Sequence, residues 1–261
     1  MLTNLRLKSR LNIFVFALAF FLLSSYAFTS AYAFSFAVMG DSAKGDEIFS
    51  DILTSISNDK SILFAIHAGD FAYNGKASEY DKYLSKTKNL RFKIYHTMGN
   101  HDAAFGGYRL FNKYFGNPYY SFDYGNCHFI ILDNAFKGDF NAKQYAWLKN
   151  ELEQNKKKLL FVVFHKPAFD PSEIFPDYVM DERQIAEELQ SLFERYQVKS
   201  VFSGHLHCYA KAIRGGVTYI IAGGAGSPLH LPNYLGGFHH YMKITVNGEK
   251  VRDSTVRLSP E

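Results

Sequence analysis

The chain has 261 residues, of which 47% are apolar and 17% aromatic, enough for a packed core and against a disordered chain. Arg6, Lys8 and Arg10 supply most of the formal charge of +4. The 26 basic residues that remain face 25 acidic ones, so the rest of the chain has no general basic character and nothing points to a nucleic-acid partner.

The N-terminus reads as a leader. L-R-L-K-S-R is a basic stretch, L-N-I-F-V-F-A-L-A-F-F-L-L is an apolar core of signal-peptide length, and A-Y-A at 31–33 has the small-x-small form of a cleavage site. Residues 1–33 are therefore expected to be a signal peptide or, if retained, an N-terminal membrane anchor. Either reading exports the protein, to the periplasm, the outside, or a membrane facing outside, with membrane contact only through this segment if it stays uncleaved. Residues 34–261 are expected to form one α/β domain.

From Phe34 the pattern alternates. F-S-F-A-V-M is a strand ending at Gly40-Asp41. Residues 46–57 place Ile48, Ile52, Leu53 and Ile56 at helical spacing. I-L-F-A-I-H is a buried strand ending at Gly69-Asp70, and a helix follows around 78–88. Residues 91–98 are a strand ending at Gly99-Asn100. A β-rich section comes next, in which Gly125-Asn126 between two apolar runs predicts a hairpin. Residues 141–154 read as a helix with Tyr145, Leu148 and Leu152 on one face. L-L-F-V-V-F ends at His165, residues 181–196 form an acid-rich helix, and V-K-S-V-F-S ends at Gly204-His205. A β-rich tail follows. Cys127 and Cys208 each sit beside an apolar run, which suits either a disulfide or buried free thiols.

Five apolar strands thus end in Asp41, Asp70, Asn100, His165 and His205, and open α/β sheets gather their sites at the carboxyl ends of strands. The stretches are G-D-S-A, G-D-F-A-Y, G-N-H-D, F-H-K-P and G-H-L-H. Singly, Asp41, Asp70 and Asn100 also suit turns or helix caps. Together, hard oxygen donors and imidazoles make a metal-ligand set for Fe, Mn or Zn.

In this order the motifs resemble those of the calcineurin-like metallophosphoesterases, D…GD…GNH(D/E)…H…GHxH, over Asp41 to His207. That resemblance implies a four-layer α/β/β/α sandwich of two mixed sheets and a dinuclear metal site. The family's first motif is usually D-x-H; here position 43 is Ala. The purple acid phosphatase branch also lacks that histidine and places a tyrosine three residues after the second aspartate, which is the spacing of Tyr73 from Asp70. In so aromatic a chain Tyr73 is also readable as a packing residue. By resemblance, metal 1 takes Asp41, Asp70, Tyr73 and His207, and metal 2 takes Asp70, Asn100, His165 and His205. The pair would be Fe(III) plus a divalent ion (Fe, Zn or Mn). A bridging hydroxide would attack phosphorus, His101 would contact phosphate and assist the leaving group, and Asp102 would orient His101.

The implied activity is that of a small exported acid phosphatase acting on phosphomonoesters, as small molecules or at exposed surfaces. Related acid phosphatases carry substrate-facing histidines about ten residues after the fourth-motif histidine. Here that region is D-P-S-E-I-F-P-D-Y, where Glu173, Asp177 or Tyr178 would stand in, so a phosphodiesterase or nucleotidase is the alternative. A non-catalytic anchored binding protein is a third reading, against which the complete ligand set argues. His67, His96 and His128 are expected in the core or behind the ligands. His230, His239 and His240 are expected to lie away from the site. Gly223-Gly224-Ala225-Gly226 lacks the context of a nucleotide loop and is expected to make a close turn near the site.

Overall fold

The apolar runs are strands because their residues alternate between two buried faces. A computed structural model describes residues 33–157 and 159–258; the expected leader, Ala33 apart, lies outside them. In β1 (Phe34–Met39), Phe36 and Val38 point one way and Ala37 and Met39 the other, all fully buried. The same holds in β2 (Ile62–His67) from Phe64 onward, and in β6 (Leu159–Val163). Burial on both faces is the mark of parallel strands inside a layered fold.

Two mixed sheets result. The first has the order β11-β10-β1-β2-β3, with β3 at Lys93–His96, β10 at His240–Asn247 and β11 at Lys250–Arg257. Strands β1, β2 and β3 are parallel, and β10 and β11 run antiparallel beside β1. The second has the order β4-β5-β6-β7-β9-β8, with β4 at Tyr120–Tyr124, β5 at Cys127–Ile131, β7 at Ser200–Ser203, β8 at Tyr209–Arg214 and β9 at Val217–Ala222. Strands β5, β6, β7 and β9 are parallel, with antiparallel β4 and β8 at the edges.

The inner faces meet in an aromatic core. Phe36 stacks on Phe64 at 5.3 Å and stands edge-on to Phe129 and Phe161 at 5.1 and 5.4 Å. Outside the first sheet, helices α1 (Asp46–Asn58) and α2 (Ala77–Thr87) bury Ile52, Ile56, Tyr80 and Tyr83. Outside the second, α5 (Ala142–Gln154) and α6 (Arg183–Arg195) bury Leu148, Leu152, Leu189 and Phe193. The architecture is the expected four-layer α/β/β/α sandwich.

The hairpin turn Gly125-Asn126 joins β4 to β5, with Tyr124 opposite Cys127. Residues 100–115, to which the sequence pattern assigned no element, are helical: α3 (Asn100–Ala103), a 3₁₀ turn (Ala104–Gly106) and α4 (Gly107–Phe115). Phe111 is fully buried under α2, with Tyr114 and Phe115 packed beside it. Cys127 and Cys208 are free buried thiols, and burial pushes both up to about 12.

Candidate metal centre

Strands β1, β2, β3, β6 and β7 run parallel within their sheets and release the five motifs at their carboxyl ends. Asp41, Asp70 and His205 each follow a glycine and each take left-handed backbone angles, with φ of 60°, 61° and 68°. Such angles cost a non-glycine residue about 1 kcal/mol or more and concentrate at functional sites. Motif glycines allow close approach: a Cβ on Gly99, before Asn100, would lie 2.1 Å from Asp70 Oδ1, and one on Gly204 2.5 Å from Asp41 Oδ2. Gly99→Ala is therefore expected to push the Asp70 carboxylate aside and weaken metal binding by roughly ten- to a hundredfold. Metal titration, with circular dichroism to show the fold intact, checks this; an unchanged affinity would mean the carboxylate can move without loss.

The chain brings two donor clusters together. Asp70, His165 and His205 form one, and Asp41, Asp70 and His207 the other, with the ligand atoms of each within 4.8 Å of one another. Asp70 belongs to both. His165 Nε2 is 3.3 Å from Asp70 Oδ2, 3.0 Å from Asn100 Oδ1 and 3.3 Å from His205 Nδ1. His207 Nε2 is 3.6 Å from Asp41 Oδ1. Backbone groups aim these side chains. His165 Nδ1 donates to the Ala68 carbonyl at 2.8 Å and His207 Nδ1 to the Pro228 carbonyl at 2.7 Å, which leaves each Nε2 toward the cluster. The His205 amide donates to Asp41, and the His101 amide to Asp70 at 2.9 Å.

Buried carboxylates and imidazoles this close fit cations. Burial pushes the Asp41 carboxyl well above the usual range. Burial also works against ionised Asp70, but His165 more than offsets it and brings Asp70 down to about 2. Burial opposes charge on His165, yet Asp70 and Asp41 push it up to about 9. Burial and the neighbouring His165 bring His205 down to about 2, and burial with His230 brings His207 to about 4. One proton on His165 thus balances a donor set whose hard oxygens and neutral imidazoles suit a divalent or trivalent ion better.

A cleft of about 300 Å³ opens beside the clusters, lined by Lys44, Asp70, Tyr73, His101, His207 and His230 among others. Tyr73 is 38% exposed there and stacks on His101 with centroids 4.8 Å apart. His101 Nδ1 donates to the Tyr73 carbonyl at 2.7 Å.

Two expectations are corrected. Asp102 does not orient His101. Its carboxylate is buried and accepts the amides of Asp70, Phe71, Ala72 and Gly99 at 2.7–2.9 Å, tying the second motif to the third. Burial and the Asp70 charge push its pKa up to about 8, against the four amides, which favour the carboxylate. Adjacent residues on a helical turn point in different directions, so Asp102 faces inward while His101 faces the cleft. The second correction is His230, which stacks on His207 at 4.1 Å and offers Nδ1 to the His207 amide at 3.3 Å. Its position is set by the long β9–β10 connection, for which the sequence carries no periodic signal.

Other candidates fall outside the clusters. His67 bonds Ser42 Oγ, His96 bonds the Tyr83 hydroxyl, and His128 pairs with Asp123. His239 and His240 donate to the carbonyls of Gly224 and Phe238. The glycine-rich stretch braces the first motif: the Ala225 amide bonds Gly40 O and the Ser227 amide bonds Asp41 O. In the region after His165, Asp170 accepts the amides of Ser172, Ile174 and Phe175, so the loop holds itself. There the Tyr178 ring lies 6.3 Å from His205, Asp177 lies 3.4 Å from Arg183, and Glu173 takes a left-handed φ of 61°.

Two mixed sheets flanked by helices thus carry paired donor clusters that share one aspartate at their strand ends. The calcineurin-like phosphoesterase profile matches residues 34–209, and the chain belongs to that family. It is 28% identical over 165 residues to a 3′,5′-cyclic-nucleotide phosphodiesterase of Nostoc sp., covering 61% of this chain and 59% of that protein. It is 31% identical over 101 residues to purple acid phosphatase 23 of Arabidopsis thaliana, covering 38% of this chain and 21% of that protein. The structure of a purple acid phosphatase from yellow lupin seeds superposes with a TM-score of 0.72 at 16% identity, over 87% of this chain and 52% of that one. The chain thus spans less than two thirds of the length of each of these relatives.

Proposed function

We propose that this chain is an exported acid phosphatase that hydrolyses phosphomonoesters with two metal ions, Fe(III) and a divalent ion. The observation that carries the reading is Asp70, shared by two donor clusters. Asp41, Tyr73 and His207 would hold one ion, Asn100, His165 and His205 the other, and Asp70 both. When bound, such ions polarise a phosphoryl oxygen and acidify water. The protein's own groups do the rest. His101, fixed through Nδ1 on the Tyr73 carbonyl, would as the imidazolium hand its Nε2 proton to the departing ester oxygen and be left as the neutral Nδ1–H form. The cleft wall of Tyr73, His101 and His230 orients the ester and limits water around it.

Metal analysis with a visible spectrum of the purified protein tests the assignment. Iron should be present with a tyrosinate band that disappears in Tyr73→Phe. Two zinc or manganese ions without such a band would overturn the iron reading and return Tyr73 to packing. A diesterase remains the second reading because the loop after His165 carries Glu173 and Asp177 and no histidine.

A further inference from the structure

The cleft holds a cation that none of the five motifs includes. Lys44 stands at the end of the turn after Asp41, with a left-handed φ of 65°. Its Nζ lies 3.2 Å from the centroid of the Tyr73 ring, and that ring stacks on His101. Lys44 also lines a second, smaller cavity with Asp46, Glu79, Lys82 and Lys86. There Lys82 and Lys86 are paired with Asp46, whereas Lys44 takes an aromatic face as its partner. A cation–π contact holds an ammonium in place without neutralising it, so the charge stays available to an anion in the cleft. The backbone angle at Lys44 is unusual for a residue with a side chain, and it sets the lysine on the wall beside His101.

We infer that Lys44 reads the charge of the bound phosphate and makes this site select dianionic monoesters over monoanionic diesters. This rests on the proposed phosphoesterase reading. It also bears on the loop after His165, which carries Glu173 and Asp177 where related phosphatases carry histidines. Asp170 is occupied by its own loop's amides and Asp177 lies beside Arg183, while Lys44 and His101 face the cleft. A monoester above its second pKa of about 6 carries one more charge than a diester, and an ammonium beside the phosphate acts mainly on that difference.

The test compares phenyl phosphate with methyl phenyl phosphate at pH 8; both expel the same phenolate. In Lys44→Ala the monoester-to-diester ratio of kcat/KM is expected to fall about tenfold, the scale of one charge-assisted contact. Lys44→Arg should keep most of the ratio. Lys44→Gly, which relieves the backbone, should behave as Lys44→Ala. Calorimetric binding of inorganic phosphate to the metal-loaded protein should weaken about tenfold in Lys44→Ala, with metal content unchanged. An unchanged ratio, or an equal fall on both esters, overturns the role of Lys44. If the wild-type protein hydrolyses neither ester, the phosphoesterase reading fails, and phosphate binding alone still decides whether Lys44 meets the anion.

Discussion

Asp70→Asn is expected to lose metal from both clusters at once and to slow phosphoester hydrolysis by at least about a thousandfold, because the metals supply several kcal/mol of charge stabilisation. The amide keeps a side-chain oxygen for the His101 N–H but lacks the charge that both clusters share. His165→Ala and His207→Ala should each weaken mainly one ion, which separates the shared ligand from the private ones. Metal per chain, measured after dialysis, reads this directly. Two ions retained by Asp70→Asn would sink the bridging assignment.

Loading should also depend on pH with a defined sign. In the metal-free protein His165 holds its proton up to about 9, above its ordinary 6.5. That proton stabilises the metal-free fold fully below 6.5, and the contribution is lost as pH rises through 9. A metal must displace it, so apparent affinity should climb by roughly tenfold per pH unit toward 9 and then level. In His165→Ala that slope should flatten.

Asp102→Ala should cost more stability than any single ligand change, about 3–5 kcal/mol. Four buried amides lose their acceptor together, each leaving a donor unpaired at roughly 1–3 kcal/mol, with water recovering part. Asp102→Asn should do little better, because one of its two positions becomes a donor facing donors. Denaturant unfolding of the metal-free chain gives the number. Wild-type stability with an altered pH profile of activity would restore Asp102 to His101, and the tie between the second and third motifs would then be incidental.

Much of the fold was legible because its signals are local. Strand β6 is apolar on both faces, and L-L-F-V-V-F says so. Gly125-Asn126 between two apolar runs fixes the hairpin. The helix at 107–115 was left unassigned: glycines at 106, 107 and 116 bracket it and leave a short pattern, although Phe111, Tyr114 and Phe115 recur at helical spacing. For the site, Asp41, Asp70, Asn100, His165 and His205 were visible as strand endings and His207 through the G-H-L-H motif, and the structure gathers them. Asp102 was visible as a carboxylate, but its direction was not, since one residue's step along a helix turns the side chain by about a quarter of a circle. His230 and Lys44 are placed by loops whose course is set by packing far along the chain, and neither sequence position announces it.

The left-handed turns at Asp41, Asp70 and His205 bear on how fast the centre fills. Glycines, amides and the Asp102 carboxylate hold these backbones in their unusual shape through contacts of the protein alone. The ions therefore enter a socket already cut to shape, with little rearrangement to wait for. Association should run close to the pace at which hydrated ions shed water, and departure, governed by the gathered donors letting go in turn, should be the slow direction.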